Sequence, residues 1–228
     1  MENLKVIFED NHIIVVEKKP NIPSQSDKTG DIDILTIVKQ YIKEKYNKPR
    51  NVYLGLVHRL DRPVGGVMIF AKTSKAASRL SNQVREKVFK KKYLAVVDGR
   101  FKEKEGSLED YLYKDERNNT SRVVNREKKN SKLAKLDYKE LVYNKVKDLS
   151  LLEINLHTGR HHQIRVQLAN AGHSIFGDQK YGKRGQGKQI ALWAYELTIE
   201  HPITKEEITF KDFPEAIGTW CILREINL

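Results

Sequence analysis

The chain has 228 residues with 42 Lys and Arg against 30 Asp and Glu, a formal charge of +12 that fits a polyanionic partner such as nucleic acid, although a lysine-rich proteome gives the same balance. Its length supports one good-sized domain or two small ones, and no apolar run approaches the ~20 residues of a membrane helix. One cysteine, Cys221, excludes an internal disulfide and a multi-cysteine zinc site, and the alternating N-terminus reads as strands rather than a signal peptide, so the cytoplasm is the expected compartment.

Leu4 to Phe8 and Ile13 to Val16 read as two short strands split by the turn signal Asp10-Asn11. Lys18-Lys19-Pro20 and Pro23 break regular structure. A helix is expected from Asp31 or Asp33, with Ile34, Leu35, Ile37, Val38, Tyr41 and Ile42 on one face, and Pro49 ends that region. Gly66 to Ala71 is a compact apolar strand. Ser74 is the expected N-cap of a helix whose face carries Ala77, Leu80, Val84 and Val88. Tyr93 to Val97 is a further strand, closed by Gly99, and residues 102–106 form a charged turn.

Arg117 to Lys135 holds seven cations against the single acid Glu127 and reads as two edge strands joined by a basic hairpin, either a solvated loop or a contact for RNA. Leu136 to Tyr143 and Leu149 to Leu156 are expected as adjacent antiparallel strands. Thr158 is the expected cap of a helix running to Ala171, with Gly172 as its C′ residue. Ile190 to Ile199 and Glu207 to Phe210 are late strands, and Phe213 to Glu225 a short helix. Strands outnumber helices and many are joined by short turns, which predicts an α+β fold with a mainly antiparallel sheet. A single domain over 1–228 is expected.

Two segments could carry chemistry. In His58-Arg59-Leu60-Asp61-Arg62-Pro63 a lone carboxylate sits between two arginines, and a carboxylate held ionised by guanidinium is suited to act as a nucleophile. Pro63 stiffens the chain, and Gly65-Gly66 permits a tight turn or close approach to a ligand. Alone, Asp61 is equally readable as a surface ion pair or a turn cap. The second segment is Leu156 to Arg165. On a helix starting near Gly159, His161, Arg165 and Leu168 share a face, and Arg165 is a suitable bidentate partner for a buried carboxylate. His157, His161 and His162 raise the question of a metal, but there is no His-Glu-x-x-His pattern and the neighbouring arginines repel cations. Tyr93, behind Lys90-Lys91-Lys92, is readable as core or as a stacking platform for a base.

HRLDRPVGGVMIFAKT resembles the catalytic motif of the RluA-type RNA pseudouridine synthases. LEINLHTGRHHQIRVQLANAGHSIFGDQKYG resembles the same family's C-terminal motif, Lys19-Pro20 its early Lys-Pro element, and KKYLAVVDG its tyrosine-bearing strand. The four motifs are in order and span roughly residues 5–200. The resemblance implies a pseudouridine synthase fold, a mainly antiparallel mixed sheet flanked by helices with a central catalytic cleft. It implies isomerisation of uridine in structured RNA, ribosomal or transfer, without cofactor or metal.

Asp61 would be the nucleophile, Tyr93 would stack on the target base, and Arg165 would pair with Asp61. Arg59 would fill the gap left by the flipped uridine, while Ile164 and Leu168 form an apolar wall; His58, Arg62 and Arg160 complete the substrate-binding set. Two departures stand out: Val64-Gly65-Gly66 replaces the usual Thr-Ser-Gly, and Gln167 stands where a histidine is common. The chain is expected to lack a separate N-terminal RNA-binding domain, to act as a monomer and to have no membrane partner. An RNA-binding or RNA-folding protein with an idle synthase site, and a nucleoside hydrolase using Asp61, are the competing readings.

Overall fold

The computed structural model describes residues 4–183, 187 and 189–226. The chain folds into two compact units, one of Met1–Lys90 with Ala194–Phe213, the other of Lys91–Trp193 with Pro214–Leu228.

The first unit is built on β1 (Val6–Glu9), β2 (Ile13–Lys18), β3 (Gly55–Leu56), β4 (Gly65–Ala71), β10 (Leu192–Glu200) and β11 (Glu207–Lys211). Its order is β1-β2-β4-β10, with β3 on β4 and β11 on β10. The β1–β2, β2–β4, β3–β4 and β10–β11 pairs are antiparallel. Strand alternation sends Ile13, Val15, Val67, Ile69 and Ala71 to one face, where they pack with Ala76 and Leu80 of helix α2 (Ser74–Glu86). The opposite face is also buried: Ile14, Val16, Met68 and Phe70 are fully enclosed. Two buried faces explain the near-continuous apolar run of β4.

Helix α1 (Ile34–Lys45) starts at Asp33, whose carboxylate accepts from Thr36 N, and buries Ile34, Val38 and Ile42. The expected start thus holds, with a narrower buried face. The cap of α2 is Thr73 rather than Ser74, because the Thr73 hydroxyl accepts from Ala76 N at 3.1 Å. Val88 lies beyond that helix, which ends at left-handed Lys87.

The second unit has the order β5-β9-β8-β6-β7, from β5 (Lys90–Asp98), β6 (Glu105–Asp115), β7 (Thr120–Val124), β8 (Lys132–Asn144) and β9 (Leu149–Leu156). All four neighbouring pairs are antiparallel, and β8 and β9 lie side by side as expected. The basic segment differs from its reading. Only β7 is an edge strand here; β8 runs between β6 and β9, and the hairpin joins β6 to β7 through residues 116–119. A run of lysines does not reveal that β8 continues into the apolar strand after it. Helix α3 (Gln163–Asn170) packs Val166 on Leu112, Ala134 and Val123 of this sheet. A 3-10 helix, Gly218–Glu225, closes the described chain. The fold is α+β and mainly antiparallel. No helix among the described residues is long and apolar enough to cross a membrane.

Candidate active site

The Asp61 loop connects β3 to β4 and is fixed from beneath by Lys18. Period-2 alternation places Lys18 on the same face as Ile14 and Val16, so the side chain at the end of an apolar strand is driven inward and is fully buried. Its ammonium donates to the carbonyls of Lys19 at 3.2 Å, Ile22 at 2.8 Å and Arg62 at 3.0 Å. Burial pulls its pKa down to about 7, opposed by the charge of Asp61 and reinforced by that of Arg62. Ser24 clamps the other side: its hydroxyl donates to Leu60 O at 2.7 Å and accepts from Leu60 N at 3.1 Å. Val64 N closes a turn onto Asp61 O at 3.0 Å. Asp61 itself remains half-buried between enclosed Leu60 and Val64.

The flanking residues divide their roles. Arg62 turns to the 27–31 loop in exposed contacts, bonded to Asp31 and to Thr29, the latter at 3.0 Å, with Asp27 at 3.7 Å. Arg59 is exposed and makes no hydrogen bond or ion pair among the described residues. His58 uses Nε2 to accept from Ile69 N at 3.1 Å and rests its ring 5.2 Å from that of Phe89. Gly66, at φ +125°, brings its backbone so close to β10 that a Cβ would lie 2.2 Å from Ala194 O. The close approach expected at Gly65-Gly66 is therefore to protein backbone.

In the second unit, Arg165 is buried on α3 and grips Asp178 with two parallel bonds, Nε to Oδ2 and Nη2 to Oδ1, each 2.7 Å. Burial works to raise the pKa of Asp178, but Arg165 and the amides of Lys180 and Tyr181 hold it below the ordinary range. A guanidinium carries five donors, so the same group can also meet a second carboxylate. The Asp178 turn depends on Gly177 at φ +74°, where a Cβ would stand 2.1 Å from Gln189 O. Ile164 and Leu168 are buried on α3, and Tyr93 is buried on β5 opposite Ile154. Lys91, two residues before Tyr93, has its pKa lowered by burial.

The entry to α3 departs from expectation. The helix starts at Gln163, after His162 in a left-handed conformation, so His161 does not share a helical face with Arg165. Thr158 is no cap: its hydroxyl donates to Gln163 Oε1 at 2.8 Å and accepts from Lys135 N at 2.8 Å. Gly172 does take the positive φ expected just past the helix. Arg160 is exposed, with Nε bonded to Leu133 O at 2.8 Å. Gln167, the departure from the family pattern, is buried and binds Leu108 O at 3.2 Å and Asp110 Oδ2 at 2.8 Å, tying α3 to β6.

Sequence reasoning gave no role to Lys18, Ser24 or Asp178. Lys18 had a usable signal, its parity with Ile14 and Val16; Asp178 stood inside a recognised motif without an assigned partner. Asp61 lies in the first unit, and Tyr93 and Arg165 in the second. No group of three or more metal-ligating side chains occurs among the described residues.

A carboxylate on a braced loop beside exposed Arg59, on a strongly basic α+β scaffold, is an arrangement compatible with an enzyme working on a polyanion. The RNA pseudouridylate synthase family model matches residues 12–170. An uncharacterized RNA pseudouridine synthase, YhcT of Bacillus subtilis, is 34% identical over 96% of this chain and 71% of its own. Ribosomal large subunit pseudouridine synthase D of Nitrosomonas europaea is 32% identical over 87% of this chain, which spans only 58% of that relative. The human RNA pseudouridylate synthase domain-containing proteins 1 and 4 share the fold. Their TM-scores are 0.77 and 0.76 at 23% and 21% identity; the matches cover 96% and 92% of this chain and 86% and 89% of theirs. The chain belongs to the RNA pseudouridylate synthase family, a family of isomerases that act on RNA.

Proposed function

We propose that this chain isomerises uridine to pseudouridine in structured RNA, ribosomal or transfer, with Asp61 as the nucleophile. The observation that carries the reading is the Asp61 loop, braced by buried Lys18 and by Ser24 while exposed Arg59 stands beside it. A carboxylate held in one geometry is what attack at a sugar carbon needs.

The reaction breaks the bond from C1′ to N1 and forms one from C1′ to C5. A proton leaves C5 and one is gained at N1, so nothing is consumed. Asp61 either attacks C1′ directly or assists removal of a sugar proton to give a glycal. Tyr93 stacks on the base and stands where a proton acceptor is needed. Arg165, oriented by Asp178, uses its remaining donors to keep Asp61 ionised. Arg59 fills the space vacated by the flipped uridine. Ile164 and Leu168 wall the base, and His58, Arg62 and Arg160 complete the RNA contact; Arg62 serves chiefly to hold the loop through Asp31. The two units work as one catalytic domain, as a monomer in the cytoplasm, with neither cofactor nor metal.

Pseudouridine mapping of total RNA from cells with and without the protein tests this. One or a few sites should disappear. If no site changes, or if the purified protein releases free uracil, the proposal fails. Arg165→Ala should lower turnover strongly, since it leaves carboxylates without their partner.

A further inference from the structure

The second unit also contains a cavity of about 990 Å³, walled by the β6–β7 hairpin and by residues 159–161. Five cations line it, against two carboxylates. Both carboxylates are engaged locally: Asp115 accepts from the amides of Arg117 and Asn118, and Glu116 lies 3.6 Å from Lys114. Arg117 and Lys132 are exposed, and their side chains make no ion pair among the described residues. Arg122 sits 5.7 Å from the Tyr113 ring centroid, held over an aromatic face.

The wall is preformed. Ser121 N donates to Tyr181 Oη at 2.7 Å, and the Ser121 hydroxyl meets His161 Nδ1 at 2.9 Å. His161 Nε2 reaches Asn119 Oδ1 at 3.1 Å, and Lys180 Nζ donates to Asn119 O at 2.7 Å. These contacts pin the hairpin at Asn119 and Ser121 to His161, Lys180 and Tyr181, so its backbone is fixed before any ligand arrives. A pocket for a small organic ligand is lined mainly by apolar and aromatic side chains. Here seven of the thirteen lining residues are charged, and the five cations come from β6, the 116–119 turn, β7, β8 and the 159–161 loop, a spread that suits contact with more than one phosphate.

We propose that this cavity is a phosphate-binding groove for the RNA backbone flanking the target uridine, a contact that positions the RNA without reading its sequence. The inference rests on the synthase reading and extends it to a surface away from Asp61 in the chain. Arg160, expected from the sequence to touch substrate, belongs to this groove together with Arg117 and Lys132.

The test is salt-dependent binding of a stem–loop RNA by the full chain, in the double variant Arg117→Gln/Lys132→Gln. Each duplex phosphate contact contributes about 0.9 to the slope of log K against log salt, and each single-strand contact about 0.7. Losing two contacts should flatten the slope by about 1.4 to 1.8, which with an unchanged 1 M intercept weakens binding about 25- to 60-fold at 0.1 M salt, equally on a scrambled stem. In turnover the change should fall on KM rather than on kcat. The control is Lys145→Gln/Lys147→Gln, an equal charge loss in the β8–β9 turn, past the far end of a strand that is about 40 Å long.

An unchanged slope, a slope matching the control, or a loss confined to one RNA sequence would overturn the groove. Binding reads the groove independently of chemistry. A wild-type protein that forms no pseudouridine yet shows the expected slope change refutes the synthase reading while leaving the groove standing.

Discussion

Lys18→Met probes the support beneath Asp61. The substitution keeps an unbranched side chain in a fully enclosed position but removes donors to three carbonyls. Arg62 O keeps a bond from Asn21 N at 2.8 Å, and Lys19 O keeps Ile22 N at 3.5 Å, so Ile22 O is the carbonyl most exposed to the loss. At pH 9 the wild-type amine is neutral, given a pKa of about 7. A neutral amine keeps two N–H donors, so two neutral hydrogen bonds and one orphaned acceptor then amount to about 3 kcal/mol, or roughly 6–12 °C in Tm for a chain of this size.

The pH dependence has a definite sign. The folded pKa lies below the ordinary 10.5, so between the two values the unfolded chain binds more protons and the contribution of Lys18 rises with pH. The stability gap between wild type and variant should therefore shrink by about 1.3 kcal/mol from pH 9 to pH 8 and, as the folded-state amine begins to protonate, by about 1 kcal/mol from pH 8 to pH 7. Urea unfolding of both proteins at pH 7, 8 and 9 measures it. A gap that stays constant, or widens toward pH 7, refutes the reasoning. It would mean that the three carbonyls and Asp61 keep Lys18 charged throughout.

Three further outcomes follow from the same geometry. Asp178→Asn should cost about 3–5 kcal/mol in chemical denaturation, because it leaves Arg165 buried without its bidentate carboxylate, and it should lower kcat more than it raises KM. Ser24→Ala should lose about 1–3 kcal/mol through the orphaned Leu60 amide and carbonyl, measurable as a fall in the urea midpoint at constant m-value. Gly66→Ala should abolish folded protein in a thermal-melt and solubility assay, since its Cβ would overlap Ala194 O; a normal melt would show that the β4–β10 approach is looser than described.

How much of this was legible in the sequence depended on the range of the interaction. β1 and β2 follow from alternation and a turn signal, β4 from its apolar run, and β9 and the apolar half of β8 as adjacent strands, all patterns that act over a few residues. Asp33, one of the two expected starts, caps its helix because capping is a local bond. Thr73 displaced Ser74 because adjacent hydroxyls compete and only backbone angles decide between them. Thr158 failed as a cap because the tertiary partners Lys135 and Gln163 claimed its hydroxyl.

The site shows the same division. The motif residues around Asp61 and Arg165 were visible as a pattern. What orients them was not: Lys18 against Arg62 O is a contact across 44 positions, and the guanidinium of Arg62 meets Asp31 across 31 positions. Charge alone could not separate Arg62 from Arg59, since both lie within two residues of Asp61. Their difference comes from the 27–31 loop, which supplies carboxylates on one side only.

The most direct test of the central claim is pseudouridine formation by purified Asp61→Ala on an RNA that the wild-type protein modifies, with binding of the same RNA measured alongside. Isomerisation should be undetectable while affinity stays within a few-fold, because the carboxylate is proposed to act on the sugar and the cations to hold the RNA. Pseudouridine formed at an appreciable fraction of the wild-type rate would contradict the assignment of Asp61 as the nucleophile.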